Sequence, residues 1–385
     1  MPVQEKSQKL VIEREALADL FTAIRERGYE IAGPTIREGA IVYGELKSDS
    51  ELPIGWTDRQ EAGSYRLERR ADNAVFGFAV GPHSPKKYLL PPKLALWKAK
   101  RDARGGITVA PSEEKPRKIA LVGLRSCEFH AIAIQDRVMT GGTHVDPYYA
   151  SQRENLLLVG VNCAVAGATC FCASMGTGPR ITSAHDLALT ELIGNGRHEF
   201  LVEIGSEAGA QLMENVPHRR ANDEEVGADD EITRRTAAAM GRSLDTTGIK
   251  ELLYANLEHS RWDEVASRCL GCTNCTMVCP TCFCTSVEDR ISLDGTEAER
   301  VRVWDSCHSM AFSHLHGGSV RSSIKSRYRQ WLTHKLGSWI DQFGSSGCVG
   351  CGRCITWCPV GIDITEEVAA IRASDGRGSA TKRED

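Results

Sequence analysis

The sequence predicts a multidomain α+β protein: a mixed α/β front and middle, followed by a mainly helical, cysteine-dense domain. Three observations lead there. The chain has 385 residues, more than one core usually serves. Strand-like apolar runs alternate with helical periods through its middle. Its 15 cysteines are spread unevenly, with none before residue 127, four over 127–172 and eleven over 269–358.

Composition narrows the setting. There are 47 Lys plus Arg against 51 Asp plus Glu, and 41% of residues are hydrophobic. This slightly acidic balance, without a long basic block, argues against a nucleic-acid binder. The longest apolar runs, 119–124 and 156–161, are strand-length, so no membrane span is expected. The start, MPVQEKSQKLVIERE, lacks the apolar stretch of a secretory signal. A cytoplasmic protein is expected. Thiols stay reduced there, so cysteines in this number point to metal rather than to disulfides.

Residues 1–116 form a mixed α/β front. VIEREALADLFTAIRERG (11–28) has apolar residues at helical spacing and ends on Gly28, which predicts a helix. The runs AIVYGEL, SYRLERR and AVFGFAV look like strands. The proline-rich turn GPHSPKKYLLPP precedes an expected helix at 93–102, and His83 and the Lys86–Lys87 pair read as solvated surface. Residues 117–218 form an α/β unit with largely parallel strands: RKIALVGL, the helical SCEFHAIAIQDRVM, NLLLVGVN, then HEFLVEI followed by EAGAQLMENV. No Walker loop and no G-x-G-x-x-G fingerprint follows any of these strands. Residues 219–250 open as a charged linker or exposed helix start. The polar tail 372–385 is expected to be disordered.

Residues 251–371 carry the chemistry. Cys269, Cys272, Cys275 and Cys279 precede Pro280; Cys348, Cys351, Cys354 and Cys358 precede Pro359. Both runs are C-x2-C-x2-C-x3-C-P, the bacterial ferredoxin pattern for [4Fe–4S] clusters. Three thiolates on one tight loop can cap three corners of a cubane, while the fourth cysteine of each run serves the other cluster. The expected sets are therefore Cys269, Cys272, Cys275 and Cys358 for cluster 1, and Cys348, Cys351, Cys354 and Cys279 for cluster 2. Zinc also uses C-x2-C spacing, but has no use for the third close cysteine or the trailing C-P. The 68 positions between Cys279 and Cys348 include RQWLTHKLGSWIDQF, with apolar residues at helical spacing, which predicts clusters packed between helices. Trp304, Trp331, Trp339 and Trp357 then read as core that shields them. Arg353 reads equally as a group raising the potential of cluster 2 or as a surface charge. His308, His314 and His316 are irregularly spaced and read as polar packing.

The double run with its long insertion resembles helical dicluster ferredoxin domains of redox-complex subunits. Together with GPHSPKKYLLPP, RSCEFHAIAIQDRV, DPYYASQRENLLLVGVNC, TCFCASMGTGP, CPTCFC, WDSC and SRYRQW, it resembles the β subunits of cytoplasmic NAD(P)-linked nickel–iron hydrogenases, the sulfhydrogenase type. It is also similar to a sister family, the corresponding iron–sulfur subunits of anaerobic sulfite reductases. The resemblance runs from about residue 80 onward. It implies a non-catalytic electron-transfer subunit relaying electrons between a flavin/NAD(P) subunit and the hydrogenase large and small subunits, with no nucleic-acid or membrane partner. The alternatives are the same role in a sulfite reductase, or a flavin-containing β subunit that itself reduces a deazaflavin-type cofactor; no flavin is expected in this chain.

A third [4Fe–4S] cluster is expected on Cys127, Cys163, Cys170 and Cys172. Cys127 and Cys163 follow two strands that, if parallel neighbours, deliver both to one carboxyl edge. The alternative is four buried, inert thiols. Cys282, Cys284 and Cys307 repeat the TCFC string of 169–172 but offer three thiols, so a further cluster there would need an outside ligand.

Overall fold

The computed structural model describes residues 9–111, 115–194 and 196–374. Strand β1 (Lys9–Glu13) leads through a short turn into α1 (Leu17–Glu26). The expected helix therefore begins later than its pattern suggested: Leu10, Val11 and Ile12 are buried in a sheet, and β-branched residues suit a strand covered on both faces. Strands β2 (Glu30–Arg37) and β3 (Ala40–Glu45) form a hairpin whose two turn residues, Glu38 and Gly39, have φ of +51° and +74°. A second hairpin joins β4 (Trp56–Glu61) to β5 (Ser64–Arg69). The run 74–80 is a buried loop rather than a strand: the amides of Val75 and Phe76 donate to the Glu191 carboxylate, and that of Ala79 to Asp58.

The one-turn helix α2 (Lys86–Leu89) is followed by β6 (Lys93–Arg101) and β7 (Ile107–Pro111). A helix was expected at 93–102. The strand forms because β6 finds an antiparallel partner some two hundred residues away, a long-range pairing that local periodicity cannot register. Next come β8 (Ile119–Leu124), α3 (Ser126–Met139), α4 (Pro147–Glu154), β9 (Leu156–Val161), β10 (Leu187–Gly194), β11 (Arg197–Ile204), α5 (Glu207–Met213) and β12 (Arg219–Arg220). These strands, β1 and the first hairpin build one eight-stranded sheet in the order β12-β1-β11-β10-β9-β8-β2-β3. Its centre, from β2 to β10, is parallel, whereas β11, β1, β12 and β3 pair antiparallel. Residues on both sides of position 116 thus share one sheet and one core, which includes Leu17, Phe21, Val122, Val159 and Phe200. Each such buried side chain contributes roughly 1.5–3 kcal/mol.

The charged stretch after residue 219 is the helix α6 (Asp223–Ala238), closed by a capping box in which Asn222 and Glu225 satisfy each other's amides. The helices α7 (Ile249–Ala255), α8 (Arg261–Arg268) and α9 (Asn274–Met277) lead into the cysteine-rich region. An antiparallel pair, β13 (Thr285–Ile291) and β14 (Glu297–Trp304), interrupts it and joins β6 and β7 in a four-stranded sheet. Helices α10 (Ile324–Thr333), α11 (Trp339–Phe343), α12 (Arg353–Thr356) and α13 (Ile364–Ser374) complete the chain. Helix α13 runs to residue 374, into the expected tail; residues 375–385 lie outside the described residues. The fold is α+β with a helical cluster-bearing end. A second core packs Trp262, Tyr328, Trp331, Leu332 and Ile371 around the ferredoxin-type cysteines.

Candidate iron–sulfur centres

The two ferredoxin-type loops take the same backbone path. Gly271 and Gly350 have φ of +61° and +63°; Thr273 and Gly352 have +67° and +73°, and a one-turn helix follows each loop. The left-handed residues turn the backbone amides toward the first thiol of each run. Gly271 N–H donates to Cys269 Sγ and Gly350 N–H to Cys348 Sγ, both at 3.4 Å. The amide of Ile362 donates to Cys358 Sγ at 3.3 Å. Such contacts favour thiolate over thiol.

The loops differ where they pack. A Cβ on Gly352 would lie 2.4 Å from the Thr169 carbonyl oxygen, and one on Gly350 would lie 2.6 Å from Cys172 Cα, because the second loop is pressed against residues 169–172. The first loop meets no such wall and carries a threonine at the matching position. Gly352→Ala is expected to cost more than about 2 kcal/mol, combining the left-handed penalty with a backbone clash. Gly39→Ala, with φ +74° and nothing within 4 Å, is expected to incur only the first of these. Thermal midpoints of the two variants check this; equal losses would remove the packing argument.

The thiols gather in groups. Cys275 has Cys269, Cys358, Cys272 and Cys279 as neighbours, and Cys354 has Cys348, Cys351 and Cys279. Cys358 thus stands with the first run, and Cys279 neighbours both groups. Among the described residues, no three His, Cys, Asp or Glu side chains close to single-ion geometry. Cysteines 269, 272, 275, 354 and 358 instead line a common small cavity of about 30 Å³. Three nearly buried polar atoms without a hydrogen-bond partner line the same cavity: His308 Nε2, Tyr328 Oη and Trp331 Nε1. Burial holds the pKa of His308 down to about 4, so its ring is neutral. Unpaired donors facing a ring of thiols fit an anionic cluster whose sulfurs accept from them. Cys272 is exposed, so this centre would reach the surface.

Around the second group, burial pushes the Cys348 thiol up to about 12 against the pull of Lys335. Lys335 itself is buried and donates to Cys279 Sγ at 3.2 Å. Nothing in the sequence pattern singles it out. Helix α10 continues into a π-turn over His334–Ser338 that carries it inward.

Two strands place the first thiols of the middle group. Strands β8 and β9 are parallel neighbours, Cys127 opens the helix after β8, and Cys163 follows β9. Cys172 lies among Cys163, Cys170 and Cys351, and Cys127 beside Cys172 and Cys351. Burial and the neighbouring Cys163 push Cys170 up to about 12, so without metal its thiol stays protonated at neutral pH. The Phe171 amide donates to the Gly350 carbonyl at 2.8 Å, tying this loop to the second ferredoxin loop.

Between these two groups, Arg353 and Glu128 form an ion pair at 2.6 Å, 1% and 0% exposed. Arg353 is thus no surface charge. Glu128 also accepts from Tyr43 Oη at 2.7 Å and from the Arg125 amide at 2.9 Å. The Arg125 guanidinium acts electrostatically on Cys163, and that of Arg353 on Cys351. Lys86 is buried too, not solvated. Trp331 and Trp339 are core, while Trp357 stacks on Tyr65 with ring centroids 5.1 Å apart. The remaining cysteines pair at short range: Cys282 with Cys279, and Cys284 with Cys307.

A family model described as a 4Fe-4S dicluster domain matches residues 268–362, the segment that holds both ferredoxin-type loops. Residues 268–362 are a 4Fe–4S dicluster domain. The chain as a whole is similar to sulfhydrogenase 2 subunit beta of Pyrococcus furiosus, with 29% identity over 361 residues, 93% of this chain and 96% of that protein. The similarity therefore extends beyond the dicluster domain into the eight-stranded sheet and the Cys127–Cys172 region. No helix among the described residues is long and apolar enough to cross a membrane.

Proposed function

We propose that this chain is the iron–sulfur electron-transfer subunit of a multisubunit hydrogenase-type complex, passing electrons between a flavin/NAD(P) subunit and nickel–iron hydrogenase subunits in the cytoplasm. The observation that carries the reading is the contiguity of thiol groups: Cys354 and Cys279 join the two ferredoxin-type sets, and Cys351 adjoins the Cys127, Cys163, Cys170 and Cys172 set. Clusters bound there would supply one-electron chemistry. The ligand assignment we adopt is Cys269, Cys272, Cys275 and Cys358 for one cubane, Cys348, Cys351, Cys354 and Cys279 for the second, and Cys127, Cys163, Cys170 and Cys172 for a third.

The chain's own residues would set the potentials and exclude water. Backbone amides of Gly271, Gly350 and Ile362 and the ammonium of Lys335 donate to sulfur, and each such donor favours the more reduced, more negative state. Trp262, Trp331 and Trp339 close the interior sides, and exposed Cys272 marks where electrons would enter or leave.

Purification of the native complex tests the partners: hydrogenase large and small subunits with a flavin subunit should accompany the chain. Co-purifying sulfite reductase subunits, or stoichiometric flavin released from the chain alone, would overturn the assignment. A crossover test follows from the ligand sets. Cys279→Ser is expected to perturb the reduced-state spectrum of the centre on Cys348, Cys351 and Cys354, and Cys358→Ser that of the centre on Cys269, Cys272 and Cys275. Loss of the signal belonging to the mutated run itself would refute the crossover.

A further inference from the structure

Two lysines are buried, Lys335 within the dicluster domain and Lys86 outside it, and neither has a carboxylate within ion-pair distance among the described residues. Lys335 Nζ donates to Cys279 Sγ, to Thr281 Oγ1 at 3.1 Å and to the Gly347 carbonyl at 3.1 Å. Lys86 Nζ donates to the carbonyls of Thr276 at 3.3 Å and Met277 at 3.1 Å, and lies 3.9 Å from the centroid of the Trp304 ring. A buried ammonium is costly unless an anion balances it. For Lys335 the ligand thiolate Cys279 serves. Lys86 has no such contact. The groups able to carry negative charge near it are Cys282, Cys279 and Cys284.

Those thiols have no place in the three centres above, Cys279 excepted. Cys282 and Cys284 flank Phe283 in the second TCFC string, and Phe283 packs edge-on against Trp339. The Asp305 amide donates to the Cys284 carbonyl at 2.9 Å, so the turn after β14 brings Cys307 beside Cys284. Ser306 beside it is fully buried and accepts from Thr276 Oγ1 at 2.7 Å, which fixes the turn against the first ferredoxin loop. Lys335 acts on Cys282, Cys284 and Cys307 alike. Hydrogen-bonded neutral thiols would leave the Lys86 ammonium facing carbonyls and an indole alone.

We propose that Cys282, Cys284 and Cys307 hold a further iron–sulfur centre with three protein thiolates, its negative charge balanced by Lys86 and Lys335. Three thiolates suit either a three-iron cluster or a cubane whose fourth iron takes a non-protein ligand. The centre lies next to Cys279, so it would extend the chain of redox sites by one beyond the function proposed above, on which it rests.

The test uses the full-length chain, reconstituted without oxygen from iron and sulfide, with iron, zinc and sulfide counted and spectra recorded in oxidised and reduced states. Three cubanes account for about twelve irons, and the further centre adds about three or four. In Cys284→Ser/Cys307→Ser that increment and its spectrum should vanish while the other signals persist. Cys163→Ser/Cys170→Ser should remove a different increment, which separates failure of this proposal from failure of the three-cluster reading. Lys86→Met should keep the helix content and shed iron from this centre first on mild chelation. A wild-type count that Cys284→Ser/Cys307→Ser leaves unchanged, or zinc at these thiols, would overturn the proposal. So would a wild-type count of about twelve irons that falls by four in Cys163→Ser/Cys170→Ser, a result that needs no folded variant at the site itself.

Discussion

Withholding iron is expected to unfold the dicluster domain and leave the eight-stranded sheet standing. Cys269, Cys275, Cys348, Cys354 and Cys358 form part of the second core, with Trp262, Tyr328 and Trp331, so there the metal would be an organising part of the interior. Without it, buried thiols and the unpaired atoms His308 Nε2, Tyr328 Oη and Trp331 Nε1 would face a hole. Structural metal sites contribute on the order of 10 kcal/mol, more than most domains have to spare. The sheet has its own core, built by Leu17, Leu20, Phe21, Val159, Leu189 and Phe200, without a cysteine in it. Iron-starved protein should therefore show reduced helix content, a lost early transition and a surviving later one on heating. Identical helix content and midpoint in apo and holo protein would sink the expectation.

Cutting the buried pair in half is the second large effect. In Arg353→Met, the Glu128 carboxylate would keep its bonds from Tyr43 and the Arg125 amide but lose the charge that balances it. Breaking a buried pair from one side costs about 3–5 kcal/mol. Adding Glu128→Gln, which removes the stranded charge and keeps an acceptor, should return most of that loss. The difference between the single and double variants measures the coupling. Arg353 also acts electrostatically on Cys351, so Arg353→Met should lower the potential of the centre holding that thiol, and removing the Glu128 charge as well should offset part of that shift. If Arg353→Met stayed within about 1 kcal/mol of the wild type, the pair would be structurally idle.

The cysteine runs were legible because their information is local. C-x2-C-x2-C-x3-C fixes how many thiols one loop can present, and the glycines and Thr273 supply the left-handed turns that present them. The parallel pairing of β8 and β9 was legible for a similar reason: two continuous apolar runs with a helix between them have few other ways to bury both faces. The strand at 93–101 was not, since KLALWKAKR acquires its state from β14, far along the chain. Nor was the burial of Lys86, Lys335 and Arg353. A lysine or arginine in a sequence reads as solvent-facing because isolated charge is costly to bury, and only the folded chain shows what lies opposite. Sequence alone therefore determined which atoms could bind iron and how many lie on each loop. Tertiary structure decided which charges stand against those thiols, because balancing a buried charge depends on partners brought together from distant parts of the chain.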